Sequence, residues 1–318
     1  MTTVSLSPGP VGPDPVGPDP AGPDPLDPGP VGPGPVGAEA AEPRRAVRRS
    51  LGLGLGATLS AVFIAFVVLA AVAPGVLAST TPTHVDLTDA LAAPSWHHLF
   101  GTDEAGRDVF SRVVHGTRLS LGIGLGATAI AMGLAIVLGF VSALAGGVVD
   151  TVVTRALEVL FAFPSLLAAL LVISVFGPSV RTSIIAVGIS SMPGYARMVR
   201  GQVLNVRQAG YIESAHALGH SRWTVLRHHL FPNAMRPLVA VVTLGVGQSI
   251  VWASSLAFLG LGVPPPSPEW GALLDSGRNY ITTQWWLEVL PGLVIVLFAI
   301  SVTTLGRAIR QRLEGAAR

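Results

Sequence analysis

The chain has 318 residues, 50% of them hydrophobic and only 12% charged, with 20 basic against 18 acidic side chains and a net charge of +2. Soluble domains carry roughly a quarter charged residues; this composition, with several apolar stretches of about 20 residues, excludes a soluble protein and describes a polytopic membrane protein. Cysteine and lysine are both absent, which removes any disulfide framework or thiolate metal site and any P-loop lysine for nucleotide phosphates. ATP used with this chain is therefore bound by another polypeptide. The arginines flank apolar stretches, where charge asymmetry across a membrane places them, and this argues against a nucleic-acid partner.

Residues 1–50 repeat Gly-Pro-Asp-Pro from Gly12, Gly17 and Gly22. A five-residue period is not the every-third glycine of collagen, and so much Pro and Gly leaves nothing to pack, so a disordered tail is expected. Arg44, Arg45, Arg48 and Arg49 precede the first apolar run and assign the N-terminus to the cytoplasm. Six spans are expected, at 51–73, 119–144, 152–176, 181–199, 238–259 and 286–305, within one membrane domain of residues 51–310 followed by a cytoplasmic tail, 311–318. The first run is too long for the apolar region of a signal peptide. This topology leaves Arg107, Arg112, Arg118, Arg181 and Arg278 outside and every other arginine inside.

Between the first two spans, Gly101-Thr102-Asp103-Glu104-Ala105-Gly106-Arg107-Asp108-Val109-Phe110-Ser111-Arg112 is dense in polar side chains, with helix-start chemistry at Thr102 and Asp103. Asp103, Arg107 and Asp108 are read as a polar network that fixes this segment; contact with a docked extracytoplasmic protein is the alternative. His97 and His98 lack the partner spacing of a metal site. In the third span Arg155 and Glu158 can pair at i, i+3, and Pro164 after Phe161-Ala162-Phe163 is expected to kink the helix.

Tyr195-Ala196-Arg197-Met198-Val199-Arg200-Gly201 leads into a polar island, residues 200–237, with Arg197 and Arg200 expected as interfacial anchors. Within it, Glu213 to Ala217 is a short helical run of small residues, ended by Gly219. A second helical stretch, Trp223 to Leu230, is expected to close at Phe231-Pro232-Asn233. Beyond the fifth span, Phe258-Leu259-Gly260-Leu261-Gly262-Val263-Pro264-Pro265-Pro266-Ser267-Pro268-Glu269-Trp270-Gly271 must follow an irregular path, tolerated only where protein or water surrounds it. Trp270, Trp285 and Trp286 suit an interfacial belt.

Four of these stretches, in order between about Arg48 and Arg307, resemble one family. Glu213-Ser214-Ala215-His216-Ala217-Leu218-Gly219 with Leu230-Phe231-Pro232-Asn233 is similar to the EAA loop of bacterial ABC importer permeases. The 101–112 run (with Phe100 where the pattern usually has Leu), the Ala162-Phe163-Pro164 element and the 258–271 run resemble the second permease subunit of dipeptide, oligopeptide and nickel importers. The resemblance implies an all-α membrane protein with six transmembrane helices, the type I ABC importer permease fold and cytoplasmic termini. It also implies a coupling helix in which Tyr211, Glu213, Ser214, Ala215, Ala217, Leu218 and Gly219 meet an ATPase, small residues allowing close approach and Gly219 a sharp reversal. The implied partners are a second homologous permease, two ATP-binding subunits that carry ATP and Mg, and an extracytoplasmic substrate-binding protein. No cofactor, metal or catalytic group is expected on this chain itself.

The implied function is translocation of dipeptides or oligopeptides across the cell membrane, with nickel or another small solute as the alternative cargo. From a different class, a self-sufficient secondary transporter would show paired inverted repeats and ionisable residues near the midplane; the sequence has no evident repeat and few charges at span centres. A membrane enzyme would need a nucleophile and base or metal ligands at membrane depth, whereas the histidines lie mostly in loops. The C-terminal tail departs from the family's usual ending.

Overall fold

A computed structural model describes residues 55–315. The expectations for the Gly/Pro/Asp-rich tail and its arginines, and for residues 316–318, lie outside the described residues. Apart from an isolated bridge between Thr102 and Asp108, the regular structure described is helical. The main elements are α1 (Leu55–Val72), α2 (Val109–Ala145), α3 (Gly147–Ala162), α4 (Ser165–Phe176), α5 (Val180–Arg207), α6 (Gly210–Ala217), α7 (Leu238–Leu256), α8 (Trp270–Gly277) and α9 (Trp286–Gly315).

Leu55–Val72, Val109–Ala145, Leu238–Leu261 and Trp286–Gln311 are each long and apolar enough to cross a membrane. The expected third span is two helices, α3 and α4, bent by 87°. Proline pushes its predecessor into extended backbone, and Phe163 sits at φ −78°, ψ 132°. The expected kink at Pro164 is therefore a full break.

The fourth expected span lies in α5, whose serines, threonine and arginines make it less apolar than its neighbours. It packs along α2 for most of its length, so Ser183 and Thr182 are buried against protein and not presented to lipid. Small residues bring the two helices together, as in membrane bundles generally: a Cβ at Gly139 would lie 2.7 Å from Val199 Cγ1, and one at Gly188 2.9 Å from Ile130 Cγ2.

Three further boundaries differ from expectation. Helix α2 starts ten residues early, because Asp108 caps it by accepting from Ser111 N–H at 2.7 Å. Helix α9 runs past 305 to Gly315. Pro232 does not stop its helix. Arg222–Thr224, a π-helical turn at Val225–Leu230 and Phe231–Met235 follow one another without interruption. A π turn displaces the carbonyl that a proline ring would otherwise strike.

Two apolar clusters anchor the ends of the bundle. One, called the inner cluster for its place beside the polar island, gathers Phe140, Val199, Val203, Ile212, Ala215, Val225, Leu230 and Ala234, welding the island to α2 and α5. The other joins Val67, Val109, Val113, Ile250, Trp270, Leu273, Trp286 and Phe298. Trp270 and Trp286 are thus core residues and not belt residues. Trp270 donates its indole N–H to the Val113 carbonyl at 2.9 Å, and of the three tryptophans only Trp285 is exposed.

Candidate functional site

The island's helix α6 follows α5 after only Gln208 and Ala209. Ile212 and Ala215, spaced i, i+3, fall on one face and are buried in the inner cluster. Tyr211, Glu213, Ser214, Ala217 and Leu218 are exposed, Leu218 at 77%. Ala215, at 5%, therefore holds the helix to its own chain, while the other predicted coupling residues face outward.

The helix ends in two interlocked hydrogen bonds. His220 N–H donates to the Ala215 carbonyl at 3.2 Å and Gly219 N–H to the His216 carbonyl at 3.0 Å, with Gly219 at φ +81°. No atom lies within 4 Å of a Cβ built at Gly219, so the requirement for glycine here is the backbone angle and not space. Ser221 then caps the next helix by accepting from Thr224 N–H at 3.2 Å. The His220 and His229 rings stack at 5.9 Å, and Phe231 packs on Phe140 at 5.4 Å.

Above α6, the arginines expected as anchors are partnered. Arg200 forks onto Asp150, Nε to Oδ1 at 2.7 Å and Nη2 to Oδ2 at 2.6 Å, and Nε also reaches Ser142 Oγ at 3.1 Å. Arg197 lies 3.6 Å from the Phe161 ring centroid. Arg207 donates to the Ala143 carbonyl at 3.0 Å. Asp150 is the residue that sequence reasoning missed. Its one signal is that it is the sole acidic side chain between Asp108 and Glu158. Arg155 and Glu158 pair at 2.8 Å on the exposed side of α3.

At the other end of α2, which at 1.5 Å per residue is roughly 55 Å away, the 101–112 segment folds around Asp103. Its Oδ1 accepts from Ala105 N–H at 2.9 Å and Arg107 N–H at 3.0 Å; its Oδ2 accepts from Arg107 Nε at 2.7 Å and Arg112 Nη1 at 2.6 Å. Arg107 also pairs with Glu104 at 3.1 Å. Thr102 donates to the Asp89 carbonyl and accepts from Ala92 N–H at 2.8 Å. Asp108 accepts from His98 Nδ1 at 2.9 Å. Gly101 and Gly106 both take φ +71°, and a Cβ at Gly106 would collide with the Asp86 carbonyl.

This segment is tied to the 258–271 run, far away in sequence. Arg112 Nη2 reaches the Ser267 carbonyl at 3.4 Å, and Ser120 Oγ donates to Glu269 Oε1 at 3.0 Å while accepting from Trp270 N–H at 3.0 Å. Glu269 caps α8 through Ala272 N–H at 2.9 Å. Burial pushes the Glu269 carboxyl above its ordinary value, against the opposing hydrogen bonds from Gly271, Ala272 and Ser120. Among the described residues, no group of three or more His, Asp or Glu side chains is placed to hold a metal.

Residues 135–317 match the family described as binding-protein-dependent transport system inner membrane component. The chain is 39% identical over 255 residues to the probable D,D-dipeptide transport system permease protein DdpC of Escherichia coli (strain K12), covering 80% of this chain and 86% of that one. It is 34% identical over 275 residues to the dipeptide transport system permease protein DppC of Alkalihalophilus pseudofirmus, covering 86% and 90%. It is 38% identical over 221 residues to the glutathione transport system permease protein GsiD of Pectobacterium atrosepticum, covering 70% and 73%. Among solved structures, the MetNI methionine ABC transporter in an inward-facing conformation superposes with a TM-score of 0.53 at 16% identity, over 64% of this chain and 96% of that one. An amino acid ABC transporter superposes equally well, at 0.53 and 15% identity over 64% and 94%. At such identity the likeness establishes the fold alone, that of the type I ABC importer permeases. By sequence the chain belongs to the binding-protein-dependent ABC importer permeases of the dipeptide/oligopeptide family, as a multi-pass, non-catalytic membrane subunit that works with a separate ATPase and a substrate-binding protein.

Proposed function

We propose that this chain forms half of a translocation pathway for dipeptides or oligopeptides, and that α6 is the surface through which a partner ATPase drives it. The observation that carries the coupling role is the two-faced packing of α6. Ile212 and Ala215 fix it to the bundle, while Tyr211, Glu213, Ser214, Ala217 and Leu218 stand exposed on a helix closed by Gly219. Leu218 and Trp223 both stand exposed in an otherwise polar loop, large apolar side chains available to a protein contact. Peptide cargo follows from the dipeptide and glutathione systems to which the relatives' names refer.

The full assembly in this reading has six spans per permease with both termini cytoplasmic, a second homologous permease and two ATP-binding subunits carrying ATP and Mg. Closure of those subunits moves α6, and the bundle re-angles to alternate access. Affinity purification from mild detergent tests it. Unmodified protein should bring down an ATPase and a second permease, and Ser214→Arg with Leu218→Glu should insert but lose the ATPase. Unmodified protein that purifies alone and still drives uptake in vesicles would show a self-sufficient transporter.

A further inference from the structure

Asp150 opens α3 and Phe161 lies at its end. Both are held by α5. Arg200 grips Asp150 with two nitrogens, and the Phe161 ring lies beneath Arg197 and against Gly194, where an added Cβ would be 3.7 Å from Phe161 Cε2. Elsewhere α3 is thinly packed: Leu157 is its one buried residue, Val153 adds a partly buried contact in the same cluster, and Ser142 of α2 also donates to Asp150. Immediately after Phe161 the chain breaks by 87° at Phe163-Pro164. In the other direction, α5 passes into α6 after two residues.

A plain interfacial anchor needs neither a carboxylate nor an aromatic partner, because lipid headgroups and water satisfy it. The partly exposed Arg200–Asp150 pair contributes little to stability. A bidentate fork, however, fixes orientation as well as distance, and that is the property of a mechanical link. A thinly packed helix follows its end attachments. A proline break lets the next helix re-angle without losing a backbone bond, since Pro164 has no N–H to give.

We propose that Arg197 and Arg200 are positioning residues that carry displacement of the coupling helix into α3, and through it into the break at Phe163-Pro164. This rests on the coupling role of α6 given above. It adds Asp150 and Phe161 as the receiving points of that motion.

The chain has no cysteine, so Phe163→Cys, at a position 61% exposed, gives a single reporter. Within the complete transporter in lipid nanodiscs, its maleimide labelling rate, read on this subunit's band after gel separation from its partners, is compared without nucleotide and with ATP plus vanadate. The expected result is a rate difference between the two states that is lost in Arg200→Glu and in Asp150→Arg, each with the ATPase still bound. The difference should return in the exchanged pair Asp150→Arg/Arg200→Asp. Arg197→Gln should lose it as well, and Arg200→Gln serves if charge reversal blocks insertion. Three outcomes overturn the proposal: equal rates without any Arg or Asp substitution, a difference that survives the single variants, and a loss that the exchange does not repair. Failure of the otherwise unmodified complex to retain its ATPase refutes the coupling reading instead, and is read separately on the same gel.

Discussion

Arg112 donates to Asp103 at 2.6 Å with side chains only 2% and 4% exposed, so the membrane domain carries a buried ion pair where its first long helix begins. Asp103 also receives two backbone N–H groups and Arg107, which together satisfy a charge that burial alone would expel. The pair gives the 101–112 motif a physical purpose: Arg112 reaches on to the Ser267 carbonyl, and the loop before α2 is locked to the loop before α8.

Removing one partner should cost more than removing both. Asp103→Asn leaves a buried guanidinium without its counter-charge, a loss of about 3 kcal/mol. Asp103→Asn with Arg112→Leu should recover part of it, since the amide oxygen still accepts from Ala105 and Arg107 N–H and no uncompensated guanidinium remains. The midpoint of heat-induced aggregation in detergent, measured for single and double variants, checks the order. A double variant worse than either single would refute the pairing argument.

Two of the left-handed glycines, Gly106 and Gly219, should fail for different reasons. At Gly106 any side chain meets the Asp86 backbone, so Gly106→Ala and Gly106→Asn should both lower the aggregation midpoint. At Gly219 there is space but φ is +81°, so Gly219→Asn should be tolerated while Gly219→Val loses roughly 1–2 kcal/mol. The comparison of Asn at the two positions is the decisive reading.

Ala215 and Leu218 should separate stability from coupling. Ala215→Leu overpacks the inner cluster and should cost about 1–3 kcal/mol. Leu218→Ser removes an exposed side chain and should leave the aggregation midpoint unchanged while weakening retention of the ATPase. Measuring both quantities on both variants checks the assignment of the two faces.

Glu269 should make stability pH-dependent. Burial raises its folded-state value above the unfolded one, so the folded protein binds the proton more tightly. Its contribution is fully present below the ordinary glutamate value and is lost as pH rises through the raised one. Glu269→Gln keeps an acceptor for Ala272 N–H and can donate to Ser120 Oγ. It should flatten the fall of the aggregation midpoint with pH, and an unchanged slope would place the dependence on another group.

What the sequence could reveal tracks the range of the interaction. The end of α6 at Gly219 is a local matter of backbone angle and was readable from the residues alone. Pro164 was readable as a perturbation, but its size was not, because the 87° bend depends on how α3 and α4 pack on α5. Pro232 misled, since the π turn that accommodates it has no comparable signature. Asp150 was invisible for a different reason: its meaning lies in Arg200, fifty positions away, and in Ser142 across a helix turn. Glu269 stood within a recognised motif, yet nothing local said that Ser120 would meet it. The inward turn of Ala215 likewise follows from a cluster built by segments scattered from Ala131 to Leu238.

The coupling role of α6 requires that its exposed face touch an ATP-binding subunit. The cysteine-free chain allows the most direct test. Leu218→Cys, carrying a maleimide photo-crosslinker, is illuminated in native membranes beside Trp96→Cys, a fully exposed control position in the segment between α1 and α2. The expected result is a covalent adduct with the ATP-binding subunit from position 218 and none from position 96. Adducts with lipid alone from position 218, in membranes where ATP-driven uptake of a labelled dipeptide is intact, would contradict it.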